Sequence, residues 1–133
     1  MNVLETEWWT LALPPEWWGQ AEDDSILIGD QDEVGCIEIS TLHKEEGAFA
    51  QEMVRSIAQQ ESEQQLDWCS VVLGEFAGVT ASYVQEGSAV REWYVVNASL
   101  MLFITYSCAE DNRGMDDAAV DEILETLMVG EPA

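Results

Sequence analysis

"AVREWYVVNASLMLFITYSC" (89–108) contains two runs of β-branched and aromatic residues separated only by "AS". Such side chains fit a pleated, half-buried surface. Two residues are enough to reverse the chain between antiparallel strands, whereas a parallel crossover needs a dozen or more. The stretch therefore reads as a tight hairpin. The same pattern continues upstream, where "WCSVVLGEF" (68–76) and "VTASYVQ" (79–85) add two strands with breaks at "AG" (77–78) and "EGS" (86–88). Short breaks of this kind set up an antiparallel meander.

On either side of the meander the period changes. From Glu45 to about Gln65, the residues Phe49, Ala50, Met53, Val54, Ile57 and Ala58 form one helical face, with Glu52, Arg55, Ser56, Gln59 and Glu63 opposite. After the meander a second amphipathic helix is expected from Met115 to Met128, built on Ala119, Val120, Ile123, Leu124, Leu127 and Met128. Asp116 and Asp117 stand in its first turn, where they complement the helix dipole.

At the N-terminal end, "TEWWTLALPP" (6–15) alternates, with Trp9, Leu11 and Leu13 on one side and Trp8, Thr10 and Ala12 on the other. Proline cannot donate to a ladder, so Pro14 and Pro15 end that strand and leave Trp17 and Trp18 in a loop. "SILIGD" (25–30) and "VGCIEIS" (34–40) form a hairpin around an acidic turn. The expected order is βββαββββα, an α+β fold in one domain (1–133), with an antiparallel β-sheet and both helices packed on one face.

The chain has 133 residues, enough for one domain with a proper core. Its 27 acids face four bases (Lys44, Arg55, Arg91 and Arg113), for a formal net charge of -23. Such a surface repels nucleic acid and anionic lipid and attracts basic proteins. The N-terminus lacks the basic and apolar regions of a secretory signal, and "LMLFITY" (100–106) is too short to cross a membrane. Cys36, Cys69 and Cys108 are odd in number and sit in apolar segments, as expected of buried, reduced thiols in a cytoplasmic protein.

Chemistry-bearing patterns are few. "DQDEVG" (30–35) has acids at the first and third positions of a calcium loop and glycine at the sixth, but Val34 and Thr41 replace two oxygen ligands. It reads as an acidic turn, and no metal or cofactor is expected. His43 is the sole histidine, and no cysteine lies in a glycine-rich elbow beside it. Arg91 lies mid-strand with Glu92 beside it and Trp93 on its own face, placed for a cross-strand ion pair or an aromatic stack. The tryptophans serve mainly as core. The candidate partner-binding residues are Trp8, Trp17, Trp18, Arg91 and Trp93.

The strings "WTLALPPEWW…ILIGDQDEVGCIEIS" and "FAGVTASYVQEGSAVREWYVVNASLMLFITYSC" resemble the Mog/PsbP-like superfamily. There a strand ends in proline and tryptophan, a hairpin and a helix follow, and a meander leads to a closing helix. This resemblance implies an α/β/α or α/β sandwich that acts through protein contacts. The leading expectation is a non-catalytic, acidic protein-binding module: a bacterial, cytoplasmic adaptor or chaperone whose partner has a basic surface. The alternatives are an immunity protein capping a basic toxin, or a small hydrolase built on Cys108 or Cys69 with His43. A homodimer is a further expectation.

Overall fold

The computed structural model describes residues 2–23, 25–31, 34–61 and 66–130. Strands β1 (Asn2–Glu5), β2 (Trp9–Leu13), β3 (Trp17–Ala21), β4 (Ile26–Asp30) and β5 (Gly35–His43) lead to helix α1 (Gln51–Glu61). The meander follows as β6 (Cys69–Leu73), β7 (Phe76–Gln85), β8 (Ser88–Asn97) and β9 (Leu100–Ala109). A short 3-10 turn, helix α2 (Asp117–Leu124) and strand β10 (Met128–Val129) complete the chain.

The described residues form two antiparallel sheets. The larger has the order β3-β4-β5-β9-β8-β7-β6 and the smaller β1-β2-β10. The hairpin read from 89–108 is present: Asn97 pairs with Leu100, Trp93 with Ile104 and Ser88 with Ala109. The β7–β8 turn places Glu86 and Gly87 at positive φ (52° and 82°), the geometry whose twist suits a two-residue hairpin.

The fold class is α+β on an antiparallel sheet, as expected; strand β1 is additional to the expected order, and five further details differ. Trp17 and Trp18 begin a strand rather than a loop. Pro14 and Pro15 form a turn closed by the Trp17 N–H donating to the Pro14 carbonyl at 3.0 Å, and the chain enters the larger sheet beside β4. The break at 77–78 lies within β7, and the real turn is at Gly74–Glu75. Ala77 and Gly78 pair with Val96 and Val95, and a Cβ on Gly78 would lie 1.8 Å from the Tyr94 carbonyl oxygen. The close strand approach therefore needs glycine there. The first helix starts at Gln51 rather than Glu45, its expected end at 62–65 lies outside the described residues, and Met53 on its expected apolar face is exposed. The second ends at Leu124, because Met128 and Val129 pair with β2.

The fifth difference is the placement of the helices, which lie on opposite faces of the large sheet. Successive side chains alternate across a sheet. Trp93, Val95, Leu102, Ile104 and Tyr106 join Trp9, Leu11 and Leu13 of β2 and Val120, Ile123 and Leu124 of α2 in one core. Tyr94, Val96, Met101, Val79 and Ala81 join Val54 and Ala58 of α1, with Phe49 and Trp68, in the other. A meander apolar on both faces needs a cover on each.

Candidate functional site: a half-covered sheet face

Among the described residues, helix α1 packs chiefly over β7 and β8. Residues paired directly across antiparallel strands share a face, so the register fixes what α1 leaves open. Ser40, Phe103 and Tyr94 form one row, Leu42, Met101 and Val96 the next, and Glu38, Thr105 and Glu92 the row on the other side. Between α1 and this floor runs an open groove of about 710 Å³. Phe49, Ile57 and Glu61 form its wall, and Leu42, Met101, Phe103, Tyr94 and Glu92 its floor.

The floor is aromatic. The rings of Tyr94 and Phe103 stack with centroids 4.6 Å apart, and Trp68 meets Tyr94 edge-on at 5.6 Å. At one end the Tyr83 hydroxyl donates to Glu92 Oε2 at 2.6 Å. Burial, then the negative charges of Glu92 and Glu61, push the Tyr94 phenol up to about 12. At the other end Leu42 is 54% exposed and Lys44 Nζ rests 4.6 Å from the Phe49 ring centroid.

The sequence-derived candidates fall in different places. Trp17 and Trp93 are packed in the core on the face opposite the groove, 6% and 1% exposed. Arg91 stacks 4.6 Å from the Trp93 ring and reaches Asp121 at 2.8 Å and Asp117 at 3.5 Å, tying β8 to α2. Trp8 is half-buried and stacks on His43 with centroids 4.4 Å apart. His43 shares the face of Ile39 and Thr41, so this pair lies away from the groove. Trp18 is 42% exposed and does lie on the groove face, in the row of Gly29, Cys36 and Ser107. A Cβ on Gly29 would come within 2.7 Å of the Trp18 ring, so glycine lets the indole lie flat across β4.

The thiols and His43 are not brought together. Cys108 pairs with Gly35 and His43 with Leu100, at opposite ends of the β5–β9 ladder. Eight residues of strand separate them, about 26 Å. Cys69 is exposed rather than buried, because β6 is an edge strand, while Cys36 is half-buried and Cys108 buried. Asp32 and Glu33 of the acidic turn lie outside the described residues, and among the described residues no acid, histidine and cysteine cluster could hold a metal ion. No described helix is long and apolar enough to cross a membrane.

Sequence reading missed the groove residues Leu42, Phe49, Ile57, Glu61, Tyr94 and Phe103. A signal for them existed: "REWYVV" and "LMLFITY" are apolar at both odd and even positions, whereas a strand with one wet face alternates.

No protein-family model matches the chain, and no curated protein matches it significantly in sequence. Solved structures do match. One is a protein from Bacteroides thetaiotaomicron, with TM-score 0.67 and 16% identity over 93% of this chain and 46% of that one, so this chain spans about half its length. Another is LpqN, described as involved in cell envelope biogenesis of Mycobacterium tuberculosis, with TM-score 0.63 and 18% identity over 92% of this chain and 83% of that one. A third is the cyanobacterial PsbP of Synechocystis (CyanoP), with TM-score 0.60 and 13% identity over 91% of this chain and 86% of that one. At such identities the likeness is one of backbone architecture: the chain has the PsbP-like fold.

Proposed function

We propose that the protein is a non-catalytic protein-binding module, a bacterial cytoplasmic adaptor or chaperone, that receives a basic partner on the open face of its large sheet. One observation carries this reading: α1 covers only part of its face, leaving an apolar, aromatic-floored groove on a chain of net charge -23. Apolar burial would supply affinity, and the acidic field would steer the encounter. The free thiols, one of them exposed, suit a reducing compartment.

The test is capture of partners from native lysate by the tagged protein and by a Phe103→Arg variant, followed by binding kinetics across a salt series. Phe103→Arg puts a charge into the middle of the floor and should abolish capture. The association rate of the captured partner should fall as salt shortens the Debye length to about 8 Å and below. Capture that survives Phe103→Arg, with an association rate indifferent to salt, refutes the proposal.

A further inference from the structure

The groove is polarised along its length. It runs beside α1, whose eleven residues span about 16 Å. At the start of α1, the groove is bounded by Phe49, Leu42 and Met101, with Lys44 lying against Phe49. At the end of α1, it is bounded by Glu61, Glu92, Tyr83 and Gln85. Two sources of negative potential converge at that second end, the carboxylates of Glu61 and Glu92. The Tyr94 phenol on the groove floor is raised first by burial and then by the charges of Glu92 and Glu61, which act on the same end of the groove.

Resting on the docking role just proposed, we infer that the groove takes a short extended polypeptide segment in one direction only, with apolar side chains against Phe49, Leu42 and Met101 and a lysine or arginine between Glu61 and Glu92. About five extended residues span the length of α1. A cationic head at the acidic end keeps its charge and gains two carboxylate acceptors, while its methylene stem lies on the Tyr94–Phe103 stack. The opposite orientation brings the cation toward Lys44 and sets aliphatic groups against carboxylates. A second copy of this chain suits the groove poorly, because two bodies of charge -23 repel.

Fluorescence polarisation with two labelled five-residue peptide amides and one labelled lysine amide tests this. The first has leucine at its first position, phenylalanine at its third and lysine at its fifth. The second has glutamate in place of lysine, and the third probe is a single labelled lysine amide without the apolar residues. The lysine peptide should bind about tenfold tighter than its glutamate twin at low salt. Glu92→Gln and Glu61→Gln should each erase much of that difference, whereas Glu125→Gln, which removes the same charge beyond α2 on the other face, should not. Equal affinity of the two peptides, or an equal effect of Glu125→Gln, overturns the polarised site. Binding of the lone lysine amide as tight as that of the full peptide overturns the polypeptide segment in favour of a small cationic ligand. Partner capture that is lost with Phe103→Arg but unchanged by both Glu→Gln variants keeps the docking role and overturns the cation end alone.

Discussion

Trp9→Ala removes the side chain that joins the two sheets. The Trp9 indole is wholly buried, packed with Leu11 and Leu13 against the floor of the large sheet, and its Nε1–H donates to Thr41 Oγ1 on β5 at 2.9 Å. A tryptophan buries roughly 200 Å², worth about 5 kcal/mol at ~25 cal/mol per Å². Alanine recovers a small part of this, and the lost hydrogen bond adds about 1 kcal/mol. The expected loss is about 4–5 kcal/mol, within the range for aromatic truncation. Domains of this size have about 5–15 kcal/mol in total, so the variant sits near the folding threshold. Urea unfolding followed by circular dichroism is the assay, with the midpoint expected to fall by about 2 M or more. Trp9→Phe and Thr41→Val keep the test usable if alanine abolishes folding, and each should cost about 1–2 kcal/mol. A loss below ~1 kcal/mol for Trp9→Ala would show that the small sheet does not bury this face, and the packing argument would fail.

Three further outcomes are expected. Arg91→Met should cost about 1–2 kcal/mol in urea melts, combining a partly exposed ion pair with the stack on Trp93, and Arg91→Lys should not restore it, because an ammonium cannot fork to two acids. Gly78→Ala should destabilise by about 2 kcal/mol or more, since its Cβ would collide with backbone of β8, whereas Gly87→Ala meets no atom and should pay only for its positive φ; similar losses for the two would refute the collision. Both Tyr94 and Tyr106 have phenols raised above the unfolded value of 10, Tyr94 to about 12 by burial and acids, Tyr106 by burial and the Asp116 carboxylate it donates to. The unfolded chain therefore loses these protons first, so stability is complete below pH 10 and falls from there toward pH 12; Tyr94→Phe should flatten that fall, and an unchanged pH profile would contradict the shift.

The sequence by itself determined the meander, because runs of β-branched and aromatic residues separated by breaks of two or three residues admit only antiparallel neighbours, although it set the first turn at 77–78 rather than 74–75. It also determined that Trp9, Leu11 and Leu13 point inward, that both helices exist, and that the surface is acidic. Each of these follows from periods and counts internal to a short segment. Which sheet a strand joins is a different kind of fact. Pro14 and Pro15 mark a turn in either case, yet only the pairing of Trp17 with Asp30 shows that the chain crosses into the larger sheet. The sidedness of α1 and α2 likewise depends on which parity of β8 and β9 each helix covers, and both parities are apolar, so the local pattern is silent. The groove is decided later still. Leu42, Phe103, Glu92 and Glu61 are distant in sequence, and they line one cleft because β5, β9 and β8 are neighbours and α1 covers less than the width of the sheet. A helix of fixed width over a seven-stranded sheet must leave part of it bare, and only the tertiary structure says which part.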